Sequence, residues 1–164
     1  MEGLEYLQAR PAHCVATFRN VVFVFGSTPM TSTDLLRLDT ALQERLREYP
    51  DGVGVLRWVP PGGGGPEEEV RQQVIELFKS LGDRLLGFAT VLEGSGFWAS
   101  GARSVLLDIS RRSEFTAPLE VLDDADAGVQ WLAERLGASE SLADLRMAVA
   151  RVKTRLAELG RAPS

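Results

Sequence analysis

The chain has 164 residues, the length of one ordinary domain, and we expect residues 1–164 to form a single domain around one core. Its composition, 45% hydrophobic and 25% charged, is typical of a globular protein and argues against a disordered chain. The net charge of −5 and the scattered basic residues argue against nucleic acid as a partner. There is no apolar run of the roughly 20 residues that a membrane span needs, and the acidic N-terminus has no signal region, so we expect a cytoplasmic protein that does not bind membranes.

The only histidine and the only cysteine are adjacent, as His13 and Cys14. A structural zinc site needs about four such ligands, so the sequence predicts no metal site, and nothing in it suggests a cofactor. A Cys–His nucleophilic pair needs side chains that face each other, whereas neighbouring residues of a strand point to opposite faces. We therefore predict that the histidine is an ordinary strand residue beside a half-buried thiol.

The first predicted elements are two short strands, 13–18 and 21–25, that form a hairpin. Arg19 and Asn20 lie between them, and asparagine tolerates the positive φ that such turns require. A helix is predicted next, because the hydroxyl and acidic residues at 31–34 are good N-cap residues and leucines follow at helical spacing. These leucines are Leu35, Leu38, Leu42 and Leu46.

The chain then continues to alternate strands and helices. Further strands are predicted at 53–59, 85–92 and 118–122, from runs of mostly apolar residues. Helices are predicted from Pro66, over about 97–109, and from Asp124 or Asp126 to Gly137. Strands that alternate with helices form a mainly parallel sheet with helices packed on it. The predicted fold class is α/β, with an N-terminal antiparallel hairpin and one extra C-terminal helix.

This order of elements resembles the STAS domain, the fold of anti-sigma-factor antagonists, in its SpoIIAA-like and CRAL-TRIO-like branch. The resemblance covers residues 13–137. The run from Gly26 to Leu46 lies where the family has its first helix, and 119–132 resembles the family's closing strand, acidic turn and helix. The resemblance implies a protein-interaction module in bacterial signalling.

One segment departs from the family pattern. Anti-sigma-factor antagonists carry an Asp-Ser-Ser-Gly motif after the third strand, and a kinase phosphorylates one of its serines. The corresponding segment here, 60–67, contains no hydroxyl side chain, and three glutamates, Glu67 to Glu69, lie at its end. The phosphorylation switch of the family is therefore not expected at this position.

The strand ends are the predicted working edge, because ligands of open parallel sheets bind outside the carboxyl ends of the strands. Three loops reach that edge, at 26–31, 58–66 and 93–98. The residues suited to contact a ligand or partner are Trp58, Gly94, Ser95, Gly96, Phe97 and Trp98. The alternative for them is a plain turn with core aromatics. Gly-Ser-Gly is only a fragment of a nucleophile elbow and has no histidine base near it in sequence, so we expect no catalytic residue and no enzyme.

A last amphipathic helix is predicted over 139–161, beyond the STAS-like core. Its apolar positions follow the spacing of a coiled-coil seam. They are Leu142, Leu145, Val149, Val152, Leu156 and Leu159. Such a seam either packs on its own domain or associates with another chain, and we hypothesise that it forms a homodimer.

The function favoured by the sequence is a non-enzymatic STAS-like module that binds a protein partner in signalling or regulation. The alternative is a domain that binds a small apolar ligand or lipid in a pocket at the carboxyl ends of the strands, which Trp58, Phe97 and Trp98 suggest. A small ligand that stays with the purified protein would favour the alternative.

Overall fold

The computed structural model describes residues 1–61, 67–93, 117–137 and 142–161, and a few positions between 100 and 111. The described positions between 100 and 111 are helical, in agreement with the helix predicted over 97–109, whose other residues lie outside the described part.

A six-stranded mixed sheet forms the centre of the protein, with its strands in sequential order. The strands are β1 (Leu4–Arg10), β2 (His13–Phe18), β3 (Val21–Gly26), β4 (Val53–Val59), β5 (Leu85–Leu92) and β6 (Leu119–Leu122). β1, β2 and β3 pair antiparallel, and β3 to β6 pair parallel. The predicted α/β fold with a mainly parallel sheet is confirmed.

β1 is a strand that the sequence did not reveal. It lies at the edge of the sheet, and its pairing with β2 shifts register between Tyr6 and Gln8. A bulge of this kind interrupts the alternation of side chains, and most of the strand is exposed. The strand therefore lacks the period-two pattern that reveals a half-buried strand. The N-terminal unit is a three-stranded meander that contains the predicted hairpin.

Four helices whose bounds lie within the described residues pack on the two faces of the sheet. They are α1 (Ser32–Glu48), α2 (Glu68–Leu81), α3 (Ala125–Leu136) and α4 (Leu142–Arg161). The parallel strands follow one another in sequence order across the sheet, and the connections between them are right-handed. α1 and α2 therefore lie on the same face. α3 follows the last strand and packs with α4 on the opposite face. β2 and β3 are buried along their whole length because helices cover both sides.

The β2–β3 turn has its positive φ at Arg19, with φ 53°, and not at Asn20. Asn20 instead links this turn to the start of β4. Its side-chain Nδ2 donates to the carbonyl of Gly52 at 3.1 Å, and its own carbonyl accepts from the N–H of Gly54 at 2.9 Å. The predicted two-residue hairpin is confirmed, but the reason we gave for the asparagine was wrong.

The C-terminal seam packs on the chain's own sheet. Four of its six positions, Leu145, Val149, Val152 and Leu156, are buried in the core between α4 and strands β2 and β3. Leu142 is half-buried against the same core, and Leu159 is half-buried. The apolar area that motivated the homodimer hypothesis is therefore used within the monomer, and α4 belongs to the domain.

Candidate functional site

The candidate site lies where the parallel strands end. β3 ends at Gly26, which pairs with His13 at the start of the antiparallel β2, and His13 in turn pairs with Arg10. The last residue of β1 and the first of β2 therefore lie at the same edge as the carboxyl ends of β3, β4 and β5. The sheet topology therefore places Arg10 and His13 at this edge, for which the sequence analysis had named only the loops after the parallel strands.

Of the residues predicted to contact a ligand, only Trp58 is described. Gly94, Ser95, Gly96, Phe97 and Trp98 lie outside the described residues. Trp58 is half-buried near the end of β4 and packs against the core under α3 and α4, with its ring 5.7 Å from that of Phe25. This packing agrees with the core-aromatic alternative for that residue.

Trp58 also belongs to a polar cluster on the α4 side of the edge. The Nζ of Lys153 lies 4.8 Å from the centre of the indole ring and 3.0 Å from Oε1 of Glu93. The indole Nε1 is buried and has no hydrogen-bond partner. Glu93 and Lys153 are 60 positions apart in the chain and come close only through the packing of α4.

A second cluster lies on the α1 side of the same edge, around Asp34. This carboxylate is 2% exposed, and its Oδ1 is 2.9 Å from Nη2 of Arg10. Its Oδ2 accepts the N–H of Thr31 at 3.0 Å, while Thr31 Oγ1 accepts the N–H of Asp34 at 3.2 Å, a complete capping box at the start of α1. Burial alone raises the pKa of the carboxyl, but the Thr31 hydrogen bonds and the charges of His13 and Arg10 outweigh it, so the pKa is lowered.

His13 is buried beside Asp34 without a hydrogen bond. Its Nε2 is 3.8 Å from Asp34 Oδ1, beyond hydrogen-bond distance, and it has no other partner. Burial lowers the pKa of the imidazole below 6.5, with smaller lowering by Arg10, Arg57 and Arg37, and Asp34 only partly opposes the shift. The ring is therefore neutral at pH 7 and presents a neutral nitrogen to the edge.

Arg57 and Thr90 form the third polar group of the edge. They are partners in the parallel β4–β5 register, and the neighbouring Val55 and Phe88 place both on the face covered by α1 and α2. Thr90 is 1% exposed, and its Oγ1 has no hydrogen-bond partner. No ion pair or hydrogen bond to the Arg57 guanidinium exists among the described residues, and burial lowers its pKa.

These groups favour binding over covalent chemistry. Cys14 and His13 do point to opposite faces, and the thiol is fully buried, not half-buried as predicted. Burial raises the pKa of Cys14 to about 11, which leaves almost no thiolate to act as a nucleophile at neutral pH. In the described part of the chain, no group of three or more His, Cys, Asp or Glu residues is placed to hold a metal ion.

The sequence reasoning missed Arg57, Thr90 and His13 as members of the site. Arg57 was visible as a charged residue in an otherwise apolar strand, which is a usable signal.

No described helix combines the length and apolar character that a membrane crossing requires.

Comparison with family models, curated proteins and solved structures gives no match to this chain. The resemblance to the STAS domain accordingly stays a prediction that rests on the order of the elements.

Proposed function

We propose that the chain is a non-enzymatic binding module whose ligand lies at the carboxyl edge of the sheet. The observation that carries the proposal is that three of the five buried side-chain polar atoms without partners among the described residues lie at this edge: His13 Nε2, Trp58 Nε1 and Thr90 Oγ1. All three lie within the last three residues of a parallel strand or at the adjoining start of β2. A buried polar atom without a hydrogen bond costs about 1–3 kcal/mol, so three at one edge are best explained by a ligand that satisfies them.

The position of these atoms supports the same function. Open parallel sheets bind ligands outside the carboxyl ends of their strands, where loops and helix N-termini surround the site. The C-terminal seam was one surface predicted to associate with another chain, but four of its six positions are buried in the monomer. The small-ligand alternative is therefore favoured over a module that works through its last helix.

Native mass spectrometry of protein purified without denaturation tests the proposal. We expect a retained small molecule in the wild type and its loss in the double variant Trp58→Phe and Thr90→Val, which removes two of the orphan polar groups with little change of shape. Trp131→Phe is the matched control, because Trp131 lies over Gly87 near the start of β5, away from the edge. A protein that carries no small molecule, and whose Tm no nucleotide, organic acid or lipid raises, would contradict the proposal.

A second candidate, a protein-interaction module, is favoured by a groove between α1 and α2. Leu36 is 68% exposed in this groove, which has a volume of about 370 Å3, and the Oε1 of Gln73 is buried there without a partner. An exposed leucine beside an unsatisfied amide suits the contact of a partner chain. A partner that wild-type protein and Glu44→Gln retain, but that Leu36→Glu loses, would support this function.

A further inference from the structure

Arg57 is a cation held in an apolar setting. Its side chain lines a cavity of about 20 Å3 between the sheet and helices α1 and α2. The other residues of the cavity wall are all apolar: Val24, Met30, Leu38, Val55, Val74, Phe78 and Phe88. Arg57 is half-buried, so its side chain loses part of its hydration, and the apolar wall cannot replace it.

The charges around this guanidinium do not neutralise it. Asp34, the carboxylate beside His13, is already bound to Arg10 at 2.9 Å and to the N–H of Thr31. The other charged groups that act on His13 from the surrounding elements, Arg10 and Arg37, are themselves cations. Of the four charged groups that act on His13, three are cations, Arg10, Arg57 and Arg37, and one, Asp34, is an anion.

A second donor faces the same side. Thr90 is the register partner of Arg57 on the neighbouring strand, and its buried hydroxyl has no hydrogen bond. A guanidinium offers a planar pair of N–H groups that matches a carboxylate or phosphate, and a hydroxyl can donate to a further oxygen of the same group. The Arg57 guanidinium and the Thr90 hydroxyl are therefore two donors on adjacent strands without partners among the described residues, an arrangement suited to bind an oxyanion.

We propose that a small-molecule oxyanion, a carboxylate or a phosphate group, binds at the carboxyl edge on the α1–α2 side, with Arg57 as its main donor and Thr90 as a second donor. This inference rests on the proposed function and gives the ligand an anionic group, where the sequence suggested only an apolar one. The anion supplies the counter-charge that the described residues do not.

Thermal unfolding of the full chain tests the inference with two probes, sodium acetate and sodium phosphate, against sodium chloride at equal ionic strength. We expect at least one oxyanion to raise the Tm of the wild type in a saturable way. Arg57→Met should weaken that binding about tenfold or more, since a charge-assisted hydrogen bond is worth at least that factor, and Thr90→Val should weaken it less. Arg37→Met, which removes an exposed charge from the same side, should keep the response.

A readout without ligand separates binding from a structural role. In chloride alone, Arg57→Met should melt at the same temperature as the wild type or higher, because methionine removes an unpaired, half-buried charge from apolar surroundings. A Tm several degrees lower in chloride, or an unchanged oxyanion response, would overturn the inference. Which of acetate and phosphate binds more tightly identifies the anionic group.

Two outcomes distinguish loss of the oxyanion site from loss of ligand binding altogether. A neutral ligand that the Trp58→Phe and Thr90→Val variant loses and Arg57→Met retains would overturn the oxyanion and leave the binding function standing. Absence of any retained molecule, together with no response to either oxyanion, would overturn both.

Discussion

Gly54 of β4 and Gly87 of β5 lie side by side in the parallel register, and Leu132 of α3 packs into the hollow that their missing side chains leave. A methyl group on Gly54 would lie 2.8 Å from Leu132 Cδ1, and one on Gly87 would lie 3.1 Å from Cζ3 of Trp131. The two glycines allow α3 to approach the centre of the sheet closely. Their role is one of space, since neither has a positive φ.

Gly54→Ala should therefore destabilise the protein. The added methyl group overlaps a buried leucine, and overpacking of this kind costs about 1–3 kcal/mol. Urea unfolding followed by circular dichroism measures the change. The matched control is Gly160→Ala in α4, where no atom lies within 4 Å of the added group and alanine favours the helix by up to about 1 kcal/mol. Equal effects of the two substitutions would refute the close approach.

Leu145→Ala should lower the free energy of unfolding by about 2–5 kcal/mol and leave the oligomeric state unchanged. Leu145 is 3% exposed and packs in the core against the sheet, so its loss creates a cavity within the monomer. Met147→Ala on the same helix is the control, with an expected effect within about 0.5 kcal/mol because Met147 is 51% exposed. Urea unfolding and sedimentation measure the two quantities. A dimer that dissociates in Leu145→Ala without loss of monomer stability would support the association hypothesis.

The imidazole of His13 should titrate below pH 6.5, because burial lowers its pKa in the folded state. The unfolded chain then binds a proton that the folded chain does not, so the free energy of unfolding falls as the pH drops below 6.5. The slope is at most about 1.4 kcal/mol per pH unit, and this dependence is absent above pH 6.5. Since this is the only histidine, one-dimensional proton NMR reports its pKa directly. A midpoint at or above 6.5 would show that Asp34, not burial, dominates the imidazole.

Asp34→Asn should cost about 1–3 kcal/mol at pH 7, because the charge-assisted bonds to Arg10 and Thr31 are lost or weakened. The folded pKa of this carboxyl lies below 3.8, so its contribution to stability is full above pH 3.8 and is lost as the pH falls through the folded pKa. The variant should lack that part of the acid dependence and should lower the pKa of His13 further. Glu44→Gln, an exposed change on the same helix, should alter neither quantity.

Cys14 should resist thiol reagents in the native protein. Burial raises the pKa of its thiol to about 11, so roughly one molecule in a thousand is ionised at pH 8, and the sulfur is not accessible. Reaction with a chromogenic disulfide reagent at pH 8 should be negligible in buffer and complete in urea. Labelling of the native protein within minutes would mean that α4 opens readily from the sheet.

The elements with local sequence signals could be predicted before the fold was known. β5 is found at 85–92 and β4 at 53–59, as predicted, because a strand covered on both faces is apolar along its length. The start of α1 follows from the Thr31–Asp34 capping box, and Gly137 ends α3 with a φ of 65°. These features depend on residues within a few positions of one another, so a linear pattern is enough to predict them.

The contacts between those elements could not be predicted from local patterns. The spacing of apolar residues in α4 is the same whether the helix pairs with another chain or covers β2 and β3, and only the open face of the sheet selects the second. The unpaired state of Arg57 likewise depends on where three other elements place Asp34, Arg10 and Thr90. Burial and charge pairing depend on residues that are close in space but distant in the chain, so a local sequence pattern does not predict them.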